Sequence, residues 1–356
     1  MGVSAVGARG IPVTPDSSMS VRVAILGATG LVGSTMLALL EERDFPVDQP
    51  VLLASDRPDA RGLRFRGHTL PVLAVAEEAF RGATVALFAS SNDVSERWEP
   101  VARAAGAAVI DNSSAFRYRA DVPLVVPEIN GHLLDSRPTL VANPNCSTIA
   151  IVMALAPLLR LARLERVVVA TYQSVSGAGA PALADLEAGV RAGLEGPPPA
   201  RPDGSPPFAF NVIPRIDRFE GNGYTREEMK VLWETRKILD LADLPLTATA
   251  VRVPVRVGHC AAVNVVFSRP VGPEEAREAW SSQAGVRVVD DPLRELYPLP
   301  LAAAGQDDVL VGRARRDLSH PRGLDFFVSS DNLRKGAALN AVQIAERWIG
   351  REAKSR

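Results

Sequence analysis

The chain is short of features that would assign a compartment or a macromolecular partner. Across 356 residues it has two cysteines. That is too few for a disulfide framework, so a reducing, cytoplasmic setting is expected. Neither sign of charge dominates: 40 Lys and Arg stand against 41 Asp and Glu, for a formal net charge of -1. Neither a nucleic acid nor a membrane surface is therefore expected as the main partner. The longest apolar run, residues 149–159, is too short to cross a bilayer and contains Pro157. Residues 1–18 hold Gly, Pro and Ser without an apolar stretch. They read as a disordered extension rather than a signal peptide, with Met19 as a candidate start. No internal repeat and no metal site are apparent.

What is present is a globular composition, 47% apolar, on a chain longer than one hydrophobic core usually serves. Two domains are expected. An apolar strand at 21–26 runs into Gly27-Ala28-Thr29-Gly30-Leu31-Val32-Gly33, and a helical pattern follows to about residue 43. Glycines between a strand and a helix let the backbone approach a pyrophosphate seated on the helix N-terminus. The spacing is G-x-x-G-x-x-G rather than the commoner G-x-G-x-x-G, and a plain tight turn is the competing reading. A second strand, 51–54, ends in Ser55-Asp56-Arg57. Ser55 and Arg57 suit a 2′-phosphate and Asp56 suits ribose hydroxyls; the pair favours NADP, against a solvated turn with a local ion pair. Strands at 83–89 and 107–110 flank a helix at 94–106, which predicts a doubly wound parallel sheet. Arg117, in the segment after the strand at 107–110, is a candidate anion clamp at the sheet edge where ligands bind, or else a surface charge.

The chain is organised around Asn143-Pro144-Asn145-Cys146-Ser147-Thr148. A strand at 140–142 leads in, and the apolar run 149–159 leads out as a buried helix. Cys146 therefore stands at a helix N-terminus, where unpaired N–H groups and the helix dipole favour an anion. That position predicts a lowered thiol pKa and an oxyanion site, whereas the bland alternative is a small buried hydrophobe. Beyond it the texture changes. β-rich runs at 167–172, 247–257 and 263–267 suggest a mixed sheet, 195–207 reads as an exposed loop, and 333–349 as an amphipathic terminal helix.

These residues, together with Tyr172-Gln173, Ser176-Gly177-Ala178-Gly179, Asn222-Gly223-Tyr224-Thr225, Arg252-Val253-Pro254, Gly258-His259 and Ser330-Asp331-Asn332-Leu333, resemble the aspartate-semialdehyde dehydrogenase family from residue 21 to about 346. The resemblance implies a Rossmann-type doubly wound parallel sheet at 19–145, completed by a C-terminal helix at 333–356. It also implies an α+β catalytic and dimerisation domain with a mixed sheet at 146–332. The implied reaction is NADPH-dependent reductive dephosphorylation of L-aspartyl 4-phosphate to the 4-semialdehyde through a cysteine thioester, by a homodimer or homotetramer. In this resemblance Cys146 is the nucleophile, Gln173 orients the thioacyl group and His259 is the acid/base. Arg252 holds the substrate carboxylate and Glu227 its ammonium, while Arg117, Lys230 and Asn145 form the phosphate site. Gly27, Thr29, Gly30, Leu31, Val32, Ser55, Arg57, Ser176, Gly177 and Asn332 contact NADP, Asn332 at the nicotinamide end.

Elementary chemistry agrees with these roles. A thiolate is both nucleophile and leaving group, and an imidazole is expected to titrate near operating pH. A phosphate and an α-carboxylate need separate cations, with Arg suited to bidentate binding. By themselves Glu227 and Lys230 are also a plain i,i+3 surface pair, and His259 a structural histidine. The sequence departs from the family at Ala89-Ser90-Ser91-Asn92-Asp93, at 58–62, and at Cys260, where relatives commonly have Ser. Cys260 is expected to face away from the site, since neighbours in a strand point to opposite faces. The competing readings are an N-acetylglutamyl-phosphate reductase, a malonyl-CoA-type thioester reductase, and a non-catalytic dinucleotide-binding homologue.

Overall fold

The structure, a computed structural model, describes residues 21–54 and 62–350. The segment 1–18, Met19, Ser55, Asp56 and Arg57 lie outside the described residues.

Short, continuously apolar runs make the first sheet, buried on both faces except at the edge strand 72–74. Its strands are β1 (Val23–Leu26), β2 (Val51–Ala54), β5 (Val72–Ala74), β6 (Val85–Phe88), β7 (Ala108–Asp111) and β8 (Leu140–Ala142). A small hairpin, β3 (Leu63–Phe65) with β4 (His68–Leu70), precedes β5. The order is β5-β2-β1-β6-β7-β8, and each neighbouring pair is parallel. The helix Asn92–Ala104 adds Trp98 and Ala102 to the core on one face. The helix Leu31–Glu42 covers the other with Met36, Leu39 and Leu40. The chain reverses direction across the sheet between β1 and β6, the place where ligands bind in such folds.

The second sheet holds β9 (Leu164–Gln173), β10 (Leu246–Arg252), β11 (His259–Phe267), β12 (Val286–Val288), β13 (Val309–Arg316) and β14 (Gly323–Ser330), in the order β10-β9-β11-β14-β13-β12. It is mixed: β9 and β10 run parallel, whereas β11 is antiparallel to both β9 and β14. The architecture is thus a Rossmann-like parallel sheet followed by a mixed-sheet unit.

Two elements end earlier than their composition suggests. The strand expected over 247–257 stops at Arg252, because Pro254 has no N–H to give a ladder. Residues 253–256 instead wrap the turn after β9, where Val175 and Ser176 donate to the carbonyls of Val255 and Arg256 at 2.8 and 3.0 Å. The apolar helix runs Cys146–Leu155 and tightens into a 3₁₀ turn, Ala156–Arg160, at Pro157. At the C-terminus a π-helical turn, Arg334–Ala338, leads into the helix Leu339–Trp348. That helix packs with the first sheet through Leu339, Val342 and Ile344. A buried ion pair, Arg43–Glu346 at 2.7 Å, ties it to the end of the first helix.

Candidate active site

Cys146 is the first residue of its helix. Asn145 caps it, its Oδ1 accepting from the amides of Ser147 and Thr148 at 3.0 and 3.3 Å. Asn145 is held in turn by two carboxylates. Its backbone N–H donates to Glu234 Oε2 at 2.6 Å and its Nδ2 to Glu227 Oε1 at 3.0 Å. The thiol's position is as expected, but its acidity is not. Burial, and then the Glu227 carboxylate, push it up to about 11, outweighing Arg252, Arg117 and Lys230. The lowered pKa expected from the helix N-terminus is therefore corrected: burial and the Glu227 carboxylate outweigh the nearby cations.

Cys146 opens into a cleft of about 380 Å³, shared with Gln173, Gly177, Arg117, Arg252, Glu227 and Lys230 among others. The fold brings these together from separate places: Gln173 and Arg252 are opposed at the ends of β9 and β10. Glu227 and Lys230 come from the helix Arg226–Leu239, started by a Thr225–Glu228 capping box. They do form an i,i+3 ion pair, at 3.1 Å, but it lines the cleft rather than the surface, and Glu227 is 5% exposed. Burial works against the Glu227 charge, yet Lys230 and Asn145 hold it below the usual range. Lys230 also reaches Asp217 at 2.9 Å.

Arg117 is buried, with Nη1 on Glu234 at 3.0 Å and Nη2 on the carbonyl of Asn112 at 2.7 Å, while its Nε has no partner. Burial opposes its charge but Glu234 more than restores it. Arg252 donates Nη1 to the carbonyl of Ser174 at 2.7 Å, and burial lowers its pKa. The two arginines are thus anchored on different elements and are separately available to two anionic groups.

His259, the first residue of β11, is 2% exposed. Its Nδ1 accepts from the backbone N–H of Ser174 at 3.0 Å and lies 2.9 Å from Ser174 Oγ. Burial and then Arg252 carry its pKa well below the ordinary value, which corrects the expectation of an imidazole titrating near operating pH. Cys260 next to it pairs with Ser329 Oγ at 3.3 Å and packs in the core, with no disulfide.

The glycine turn fits a dinucleotide. Gly27 follows β1 with φ +84°, and a Cβ there would strike the carbonyl oxygen of Ala89. Only glycine lets these segments approach so closely. Thr29 and Gly30 are exposed, and the helix beginning Leu31-Val32 has no side-chain cap, so its first amides are free for a pyrophosphate. Ser176 and Gly177 sit in the turn after β9. Asn332 is 2% exposed and already engaged: Oδ1 accepts from Gly258 N–H and from Ser174 and Ser176 hydroxyls, and Nδ2 donates to Ser176 Oγ.

Two contributors were not singled out from the sequence. Glu234 carried a signal, since 227, 230 and 234 share one helical face. Ser174 carried none, because its contribution is chiefly a backbone N–H and carbonyl.

Comparison with known proteins places these features in a family. Residues 22–137 match the model described as semialdehyde dehydrogenase, NAD binding domain, and residues 155–335 match semialdehyde dehydrogenase, dimerisation domain. The chain is 48% identical over 331 residues to the aspartate-semialdehyde dehydrogenase of Synechocystis, covering 93% of this chain and 98% of that one. It is 48% identical over 332 residues to the Aquifex aeolicus enzyme of the same name, covering 92% and 98%. The crystal structure of aspartate semialdehyde dehydrogenase II from Vibrio cholerae superposes with a TM-score of 0.89 at 44% identity, over 93% of this chain and 99% of that one; a structure of that protein complexed with ASA matches equally.

Proposed function

This chain belongs to the aspartate-semialdehyde dehydrogenase family, and on that premise we propose that it reduces L-aspartyl 4-phosphate to L-aspartate 4-semialdehyde with release of phosphate. The step serves biosynthesis of lysine and diaminopimelate, threonine, methionine and isoleucine. The observation that carries the reading is one cleft holding a helix-N-terminal thiol between two independently anchored arginines. Cys146 attacks the acyl carbon and carries it as a thioester. Arg252 takes the α-carboxylate and Glu227 the ammonium. A buried carboxylate there suits a free amino acid and disfavours an N-acetyl group, whose amide carries no charge to pair with it. Arg117, through its unpartnered Nε, takes the phosphate with Lys230 and Asn145. Gln173 fixes the thioacyl plane, and His259 serves the oxygen of the reacting carbonyl.

The cofactor is NADP, which when bound supplies hydride exchange at the thioester carbon. Gly27, Thr29, Gly30, Leu31 and Val32 are assigned to its pyrophosphate. Ser55 and Arg57 are assigned to its 2′-phosphate, and Ser176, Gly177 and Asn332 to its nicotinamide end. We assign 19–145 with the C-terminal helix to dinucleotide binding, and 146–332 to catalysis and pairing of subunits in a cytoplasmic homodimer or homotetramer. Among the described residues no helix is long and apolar enough to cross a membrane.

The test is phosphate-dependent NADP reduction with aspartate semialdehyde. Cys146→Ser is expected to cut turnover by orders of magnitude with NADPH binding intact. Substantial turnover in the serine variant would remove the thioester.

A further inference from the structure

The segment 213–225 carries a carboxylate, Asp217, that takes no part in the bond changes of the reaction. The segment is tied at both ends to elements of the site. Ile213 exchanges both backbone hydrogen bonds with Arg252, at 2.9 and 2.8 Å. Arg226 N–H donates to the carbonyl of Arg218 at 2.8 Å, at the start of the helix that bears Glu227 and Lys230. Between these ties Asp217 has φ +70°, in the left-handed region that glycine enters freely and other residues enter under strain. Strain of this kind persists only where the surrounding structure enforces it, and it gathers at functional sites. Asp217 lines the Cys146 cleft. Its Oδ1 accepts from the N–H of Arg218 at 2.8 Å, and its Oδ2 accepts from Lys230 Nζ at 2.9 Å. Glu227 Oε2 accepts from the same ammonium at 3.1 Å. An ammonium has three N–H groups, and among the described residues these two carboxylates are the partners of this one. One N–H is left for a ligand in the cleft.

We propose that Asp217 is a positioning residue of the phosphate site: it holds Lys230 between two carboxylates so that the remaining N–H meets the incoming phosphate. The inference rests on the dehydrogenase reading above, in which Lys230 and Arg117 take that group. A lysine is a point charge on a flexible four-carbon stem, and a single anchor does not fix its direction. With Glu227 as its sole partner, the ammonium settles on that carboxylate and neutralises the group assigned to the substrate's own ammonium. Asp217 draws it the other way. The two carboxylates differ in kind. Glu227 is buried, fixed on a helix and also bonded by Asn145 at 3.0 Å. The Asp217 side chain is 37% exposed, so water and salt screen its repulsion of a phosphate dianion, whereas the direct contact keeps its hold on Lys230. The opposite role for the same atoms is a carboxylate that competes with phosphate for Lys230. The two roles predict opposite changes in phosphate affinity when the carboxylate is removed.

The deciding measurement is the KM for inorganic phosphate of the full-length enzyme with NADP and the semialdehyde, in a double-mutant cycle of Asp217→Gly and Lys230→Gln. Glycine removes the carboxylate and suits the left-handed backbone, so the unfolding midpoint should stay close to wild type. NADP affinity should change less than about twofold, while phosphate KM should rise about tenfold. In the Lys230→Gln background the same substitution should change phosphate KM less than about twofold, since Asp217 acts through that ammonium. Asp217→Asn, which tolerates the same backbone, should move phosphate KM in the same direction. A phosphate KM unchanged by Asp217→Gly overturns the inference. A lowered one also overturns it and makes Asp217 a competitor of phosphate. A rise of about tenfold in the Lys230→Gln background overturns it as well, because Asp217 then acts on the fold and not on the lysine. Calorimetric binding of inorganic phosphate reads the same cycle without turnover. Failure of the wild type to reduce NADP would therefore sink the dehydrogenase reading, and the hold of Asp217 on Lys230 would still be measured.

Discussion

The charge state of Cys146 is open to direct measurement by alkylation. With its pKa pushed up to about 11 by burial and Glu227, about one thiol in a thousand is ionised at pH 8 in the free chain. An ordinary thiol with a pKa of about 8.5 is about one quarter ionised at that pH, so iodoacetamide should react with Cys146 about two hundredfold more slowly than with a small-molecule thiol. The sign is clear: the thiolate is the reactive form, so the rate should climb about tenfold per pH unit and show no plateau below about pH 10. Two variants move it in opposite directions. Glu227→Gln removes the carboxylate that raises the pKa and should speed alkylation, about tenfold for each unit regained. Arg252→Leu removes the cation that lowers it most and should slow the reaction. Peptide mapping by mass spectrometry assigns the label to Cys146. A plateau below about pH 8.5 in the free wild-type chain, or slower labelling of the Glu227 variant, would refute the claim that desolvation and Glu227 outweigh Arg252, Arg117 and Lys230.

The two anion sites separate in kinetics: Arg252→Leu should raise KM for the semialdehyde with little change for phosphate, and Arg117→Leu should do the reverse. A swapped pattern would invert the assignment. Glu234→Ala strands the buried Arg117 guanidinium and should cost about 3–5 kcal/mol in denaturant unfolding; a loss below about 1 kcal/mol would show that Arg117 finds another partner. Peroxide strong enough to oxidise Cys146 should not join it to Cys260, whose thiol rests on Ser329. A crosslinked peptide containing both cysteines, found by non-reducing mapping, would contradict this.

What could be read from the sequence and what could not divide along a physical line. Most strands of the first sheet are buried on both faces, so each is a continuous apolar run that needs no knowledge of its neighbours, whereas the edge strand β5 is largely exposed and carries no such signal. The glycine turn and the strand-to-helix junction at Cys146 are equally local. Strands β13 and β14 escaped notice because their runs mix Arg, Gly and Asp with apolar residues, although both lie inside the sheet. The break after Arg252 was legible in Pro254 once weighed against the valines around it.

The site divides the same way. Residue order placed Cys146 correctly at a helix start, while the run expected over 247–257 left Arg252 inside a strand that ends there; such ends are properties of short segments. Their proton affinities are not. The Cys146 thiol is governed by Glu227 and by burial, and the Nδ1 lone pair of His259 by a peptide 85 residues away in sequence. Position along the chain suggested an acidic thiol beside a titrating imidazole. The assembled cleft favours the neutral thiol and the neutral imidazole instead. A dianion beside Arg117 and Arg252 offsets the cations that lower the Cys146 pKa and pushes it further up, whereas an ammonium paired with Glu227 offsets the carboxylate that raises it, so the substrate's two charges act on the thiol in opposite directions.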